Sequence, residues 1–361
     1  MIELSNYYVA YFDILGYKDY FKNESSKVME FVIAVESAIK ETLKTLQSIQ
    51  NSPVMQLMAD EKISHRIFSD NILLCMPVTT LQYEKIRLLT FLTIICDIQR
   101  NFINDFGLFI RGAVTKGSFL ITENSIHGQA LIDAVELENS AEFPRILVAK
   151  DVTNLIFTSV LTEAEQQEIT NFSEKVKNGS LLTLEESQLQ NQYILRLQND
   201  LAARKWYNTI IFLDIDNSTV LNYLYNLDIR EIYPQVFEQM DNLLMLFSQL
   251  NAQSDLTQLK QDLAINPIER TKQFLEKHRE KLLSKLTEYG TYNDIDISNK
   301  NAVQARHRII KKYSWTLLQH NTLCQNYNLL NYAINIPVGL NIFTLEPQFI
   351  INSEKLQQGD A

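Results

Sequence analysis

Two aspartates interrupt stretches that otherwise read as buried strand: Asp13 in Tyr11-Phe12-Asp13-Ile14-Leu15-Gly16-Tyr17, and Asp70 in Ile67-Phe68-Ser69-Asp70-Asn71. An ionised carboxylate inside an apolar strand is costly unless something pairs with it, and a bound cation is an economical partner. Brought side by side, the two would form a cradle for two divalent ions, an arrangement used to move phosphoryl groups. Taken singly, Asp13 reads equally well as a helix N-cap and Asp70 as the polar corner of a hairpin.

Bringing them together is a task for the fold. Residues 7–14 read as a strand ended by Gly16. A helical pattern follows from about 25 to 50, apolar at Val28, Met29, Phe31, Val32, Val35, Ala38 and Ile39. After the breaker Asn51-Ser52-Pro53 come short strands at about 62–68 and 71–76, meeting at Ser69-Asp70. A second long helix at 81–104 precedes a β segment from Phe106 to Val114, and Lys116-Gly117 turns into a further strand through Ile121. Residues 128–139 look helical and 144–148 look like a strand. This order, β-α-β-β-α-β and then β-α-β, predicts an α+β fold whose first half is the ferredoxin-like split arrangement. In it the end of the first strand and the first hairpin can lie side by side, as Asp13 and Asp70 require.

The region 160–205 is rich in Glu, Gln and Asn and reads as an exposed helical insertion. A strand returns at 209–213, then a turn at Asp214-Ile215-Asp216-Asn217 and a segment from Val220 to Leu224. The expected division is a catalytic domain over 1–230 and a helical C-terminal extension over 231–361, its firmest helices at Phe274–His278 and Ile309–His320.

With 361 residues, 46% of them hydrophobic, the chain can bury a full core. A net charge of −10 argues against non-specific binding to nucleic acid or an anionic membrane, which needs basic fields. Cys75, Cys96 and Cys324 are far apart and odd in number, which supports neither a disulfide framework nor a zinc motif; Cys75 and Cys96 read as buried thiols. The start has no basic region followed by an apolar core, and no apolar run approaches a membrane span, so a soluble cytoplasmic protein is expected.

Phe12-Asp13-Ile14-Leu15-Gly16-Tyr17, Phe68-Ser69-Asp70-Asn71, Phe109-Ile110-Arg111-Gly112-Ala113-Val114 with Gly117, and Gly128-Gln129-Ala130-Leu131 with Ala134, Leu137 and Glu138 stand in that order. Together they resemble the catalytic domain of class III nucleotidyl cyclases, and more closely the pyrimidine cyclases of bacterial Pycsar anti-phage systems. The resemblance covers roughly residues 7–150. It implies a homodimer with active sites at the interface, a nucleoside triphosphate substrate and a downstream effector that senses the cyclic product. It also implies that Asp13, Asp70 and the carbonyl of Ile14 bind two Mn²⁺ or Mg²⁺ ions. Phe12, Gly16 and Tyr17 would line the substrate, with Gly16 letting backbone approach phosphate at a helix start.

Class III enzymes that read adenine carry a lysine where this chain has Arg66 and an acid where it has Ser125. An arginine with a hydroxyl suits the carbonyl edge of a pyrimidine instead, with uridine favoured over cytidine. Arg66 read alone is equally an exposed cation on a hairpin strand. The family also places an Asn and an Arg on the helix after Gly128, and here those places hold Ile132 and Glu136. Glutamate cannot donate to phosphate, so another cation must serve, with Arg111, Arg145 and the Arg204-Lys205 pair as candidates. Arg111 is assigned to catalysis; as plain residues, Arg111 and Arg145 also read as strand-end salt-bridge partners. His127 reads as packing and Asp214-Asp216 as a solvated turn. Lys311-Lys312-Tyr313-Ser314-Trp315 with His320-Asn321 resembles a tail motif of such cyclases, suited to packing or dimerisation and assigned no chemistry.

Overall fold

Tyr8, Ala10, Phe12 and Ile14 alternate along the first strand and enter one core, while Val9 enters another on the opposite face. A strand buried on both faces in this way must sit in the middle of its sheet. The computed structural model bears this out. It describes residues 4–17, 33, 36, 37, 40, 63–78, 81–122, 124–159, 161–214, 216–224, 267–290, 294–326 and 329–335. Strand β1 (Ser5–Leu15) runs between β3 (Asn71–Pro77) and β4 (Phe109–Ile121), antiparallel to both. β2 (Ser64–Phe68) closes that side of the sheet.

The resulting order, β2-β3-β1-β4, is the one the split arrangement demands. β6 (Ile146–Val148) then adds parallel to β4, and β8 (Thr219–Leu221) and β7 (Ile211–Leu213) extend the sheet antiparallel, while β5 (Ile126–His127) pairs with the far end of β4. The fold is a mixed α/β one with a mostly antiparallel sheet and C-terminal helices. Most of the helix expected over 25–50 lies outside the described residues, although residues 33, 36, 37 and 40 are helical.

Helix α1 (Leu81–Asn101) buries Leu88, Leu89, Phe91, Leu92, Ile94, Ile95 and Ile98. So broad an apolar face has to be covered on more than one side. The sheet covers one side and the long helix α5 (Leu184–Ile210) covers another, through the ion pair of Lys85 with Asp200 and the Tyr207 hydroxyl, which donates to the carbonyl of Lys85 at 2.5 Å. The insertion is therefore only half as expected. α4 (Glu163–Lys177) buries none of its residues, but α5 belongs to the core. Its polar composition concealed this because its buried acid is matched by a buried lysine.

Helix α2 (Gln129–Ser140) lies on the other face, with Ala130, Ala134 and Glu138 buried at helical spacing. Its start is fixed by Gly128 at φ 145°, where a Cβ would lie 2.3 Å from the carbonyl oxygen of Ser118. β4 runs unbroken through Lys116-Gly117, so the turn expected there is absent. α3 (Lys150–Phe157) follows β6. Of the expected C-terminal extension, α6 (Pro267–Tyr289) and α7 (Lys300–Asn326) are described, and Phe274, Leu275, Leu323 and Cys324 share the core of the sheet. Residues 225–266, where the domain boundary was expected, lie outside the described residues. Among the described residues no helix is long and apolar enough to cross a membrane. All three cysteines are buried and free.

A buried polar chain ties the C-terminal helices to the sheet. The Tyr223 hydroxyl lies 3.2 Å from Nε2 of His278, Nδ1 of His278 lies 2.9 Å from Nδ1 of His320, and Nε2 of His320 lies 2.9 Å from the carbonyl of Tyr332. One proton order satisfies every group with both rings neutral: Tyr223 donates to His278, His278 to His320, and His320 to the carbonyl. Burial holds both imidazoles below their ordinary value of 6.5, His278 well below it; the charge His320 would carry adds to the effect on His278, and on His320 burial together with Arg279 outweighs the bond to the Tyr332 carbonyl. The unfolded chain thus binds more protons than the native one below that value. Stability is full above about pH 6.5 and falls as pH drops, by up to about 1.4 kcal/mol per pH unit for each ring. Denaturant titrations at pH 7.5 and 5.5 should show the loss; equal midpoints would mean that the pair does not govern stability there.

Candidate active site

Asp13 stands opposite Asn71 on β3 and opposite Arg111 on β4. The two-residue loop Ser69-Asp70 joins β2 to β3, with Ser69 at φ 58°, a conformation that favours glycine and is tolerated here. The amide of Ile14 donates to the carbonyl of Asp70 at 2.8 Å, which locks the end of β1 to the hairpin tip. The two acids expected from the sequence are thus brought together, close enough for the charge of Asp70 to raise the pKa of Asp13.

Asp70 is held by a relay. The Tyr11 hydroxyl donates to Asn71 Oδ1 at 2.5 Å, and Asn71 Nδ2 donates to Asp70 Oδ1 at 3.2 Å. Arg111 faces Asp13 from β4. One of its terminal nitrogens lies 3.3 Å from Asp13 Oδ2 and 2.6 Å from Glu138 Oε1, while the other donates to the carbonyl of Ala141 at 3.3 Å. Both carboxyls are pushed up by burial, and Arg111 pulls each back toward ionisation. Lys312 of α7 acts on the same cluster, lowering both acids. Tyr11, Asn71, Glu138 and Lys312 are residues to which sequence reasoning gave no role. Tyr11 and Asn71 were legible in principle, since strand alternation and pairing put them on the face of Asp13. Glu138 continues the buried spacing of Ala130 and Ala134.

The remaining candidates fall in several places. The side chain of Phe12 is fully buried in the core, so its part in lining a substrate falls to its main chain. Gly16 has φ 85° with nothing within 4 Å of a would-be Cβ, so backbone conformation rather than crowding explains the glycine. Tyr17 hydrogen-bonds Ser69, and burial and Asp70 raise its hydroxyl pKa. Arg66 donates to the carbonyls of His65 and Thr122 at 2.9 and 3.0 Å. Thr122 in turn meets Ser125, hydroxyl to hydroxyl, at 2.8 Å. Arg66 and Ser125 therefore sit at one edge, joined through Thr122. Ile132 and Glu136 are both exposed, one turn apart on the outer face of α2.

Two cation candidates are removed. Arg145 is buried and paired with Asp214 and Asp216, and Arg204 is bonded to Asp200. The Asp214–Asp216 turn is only partly solvated: Asp214 is buried against Arg145 and the indole nitrogen of Trp315, correcting the sequence reading. His127 is exposed on β5 rather than packed.

Among the described residues, no cluster of three or more His, Cys, Asp or Glu side chains is arranged to hold a metal ion. The donors at the Asp13–Asp70 corner are all oxygen, a set that suits Mg²⁺ or Mn²⁺ over softer metals. Three carboxylates (Asp13, Asp70, Glu138) share this region with two cations (Arg111, Lys312), so its charge is close to balanced without an ion. Such a corner fits divalent ions that arrive with a polyanion better than ions bound alone.

No family model matches the sequence, and no curated protein matches it. Solved structures similar over part of the chain include the following three. The crystal structure of the adenylyl cyclase CyaB from P. aeruginosa is 17% identical, with 43% of this chain and 81% of that chain covered and a TM-score of 0.31. The catalytic core of a rhodopsin-guanylyl cyclase with converted specificity, in complex with ATPαS, is 13% identical over 43% of this chain and 82% of that one, at 0.30. A class III adenylyl cyclase-like ATP-binding protein from Pseudomonas aeruginosa is 11% identical over 46% of this chain and 37% of that one, at 0.27.

Proposed function

We propose that this protein is a nucleotidyl cyclase that converts a pyrimidine nucleoside triphosphate, UTP rather than CTP, into its 3′,5′-cyclic monophosphate and pyrophosphate. The observation that supports it is the meeting of Asp13 and Asp70 at one corner of the sheet, with Arg111 beside them. Asp13, Asp70 and the Ile14 carbonyl would hold the divalent ions. When bound, those ions would acidify the ribose 3′-hydroxyl and hold the triphosphate.

In the reaction the 3′-oxygen bonds to the α-phosphorus of the same nucleotide. The bond to the α,β-bridging oxygen breaks with its electron pair leaving on pyrophosphate, and the hydroxyl proton passes to water. What this chain contributes is alignment and charge. Arg111 supplies a fixed cation, clamped by Glu138 and the Ala141 carbonyl so that it need not reorganise during reaction. Tyr17 and the left-handed Gly16 stand beside Asp70 where backbone can meet phosphate. Arg66 and Ser125 contact the base across a head-to-tail homodimer, the guanidinium keeping donors beyond the two used on carbonyls. A place in anti-phage signalling, with a downstream effector protein reading the product, follows from the family resemblance alone.

A second reading is a catalytically silent nucleotide sensor, favoured by the exposed Ile132 and Glu136 at the places where the family carries an Asn and an Arg. Incubation of the purified protein with Mn²⁺ and each of the four nucleoside triphosphates separates the two. Cyclic UMP is the expected main product; a purine product would overturn the base assignment, and no cyclic product from any of the four would leave the sensor.

A further inference from the structure

α7 does more than pack. Its turn from Lys311 to Trp315 is pinned on three sides. Lys311 Nζ lies 2.8 Å from Glu142, and the Tyr313 ring meets Phe109 edge-on at 5.7 Å. Trp315 stacks on Phe143 at 5.6 Å and donates to Asp214 at 3.0 Å. Phe109 is two residues before Arg111 on β4, and Glu142 directly follows Ala141, whose carbonyl holds Arg111. The flanking contacts thus hold the Lys312 turn of α7 against the segments that carry and clamp Arg111, and the charge of Lys312 acts on Asp13 and Glu138.

Within that cluster Lys312 differs from Arg111. Arg111 is committed to Asp13, Glu138 and a carbonyl, whereas the ammonium of the half-buried Lys312 makes no hydrogen bond or ion pair among the described residues. An ammonium held without a direct partner next to a polyanion site is poised to accept one. The exposed glutamate at Glu136 leaves a cation role vacant, and Arg145 and Arg204 are spoken for.

We propose that Lys312, delivered by α7, is a catalytic residue of this site that binds the polyphosphate of the substrate and neutralises charge on the departing pyrophosphate. The proposal rests on the cyclase reading for its chemistry, though not for the anion it binds. It makes the C-terminal helices part of the active site, since the sheet domain without α7 would lack this cation. Lys312 takes no proton and forms no bond; it stabilises the electron pair that pyrophosphate carries away.

Calorimetric titration of the full chain with inorganic triphosphate tests it, beside turnover of UTP. Lys312→Gln should weaken triphosphate binding roughly 10- to 100-fold and lower kcat/KM by at least as much, with an unchanged melting temperature. Lys312→Arg should restore most of both, and Lys311→Gln, one residue away on Glu142, should leave both near wild type. Triphosphate bound as tightly by Lys312→Gln as by wild type overturns the proposal. So does a loss of binding that Arg fails to rescue and that comes with a lower melting temperature, because that marks a structural lysine. Lys312-dependent triphosphate binding without any cyclic product would leave Lys312 as an anion ligand and sink the cyclase reading instead. No triphosphate binding by wild type would end both.

Discussion

Asp13→Asn should cost at least about 10³-fold in cyclase turnover and raise the melting temperature in the same protein. On the proposed reading the two effects have opposite signs, because the carboxylate would serve chemistry rather than the fold. Burial raises its pKa above the ordinary 3.8, with Asp70 adding to the effect and Arg111 and Lys312 only partly offsetting it. A carboxyl raised in the folded state contributes stability that is present below its unfolded value and lost as pH rises through the folded one. At neutral pH the ionised group is therefore a net cost, and asparagine keeps its shape without its charge. Arg111 stays clamped by Glu138 and the Ala141 carbonyl, so no buried cation is orphaned. A structural N-cap gives the reverse, since its loss costs about 1 kcal/mol. Thermal melting and cyclic-nucleotide assay of one preparation decide: retained turnover with a lower melting temperature would return Asp13 to the fold and remove it from the site. Asp70→Asn should match it in turnover, because the hairpin tip is tied to β1 through the Ile14 amide rather than through the Asp70 side chain.

What the sequence disclosed about this site was local. Asp13 and Asp70 were legible because each breaks an apolar run, a contradiction visible without any tertiary information, and the strand order then forced them together. Gly128 was legible for the same reason, as a punctuation mark before an apolar helix pattern. The clamp on Arg111 was not, because Glu138 and Ala141 reach it from an element about 30 residues downstream, and nothing in either segment names the other. Lys312 is farther still. In sequence it is one of two adjacent lysines on an amphipathic helix, and only the docking of Trp315 and Tyr313 distinguishes it from Lys311. Asp214 illustrates the opposite error. Turn composition around Asp214-Ile215-Asp216-Asn217 signals solvent, yet a buried arginine immediately before β6 makes burial of Asp214 tolerable. Polar composition predicts exposure only when no oppositely charged partner is folded against it.

That buried pair carries the second large expectation: Arg145→Met should destabilise the protein by about 3–5 kcal/mol. The Arg145 side chain is 2% exposed and that of Asp214 is 0% exposed. Removing the guanidinium takes the paired cation away from an Asp214 carboxylate that stays in the core, where the indole of Trp315 still donates to it. Arg145 also lies over the Phe143 ring at 5.0 Å and clasps Asp216 through bonds of 2.5 and 3.1 Å. Burial would raise the Asp216 carboxyl, but the hydrogen bonds from Arg145 and the Ser218 amide outweigh it and take it down to about 2. Breaking the pair therefore costs far more than forming it gained, and the double variant Arg145→Met/Asp214→Leu should recover much of the loss by leaving no unpaired charge. The site should feel the change as well. Phe143 and Asp214 hold Trp315 and so help to seat α7, and a loosened Trp315 lets Lys312 drift from Asp13 and Glu138. Denaturant unfolding of the single and double variants checks the stability, and triphosphate binding checks the linkage. A single variant as stable as wild type would mean that Asp214 is neutral or hydrated where it lies, and the sheet would then owe its docked helix to apolar packing alone.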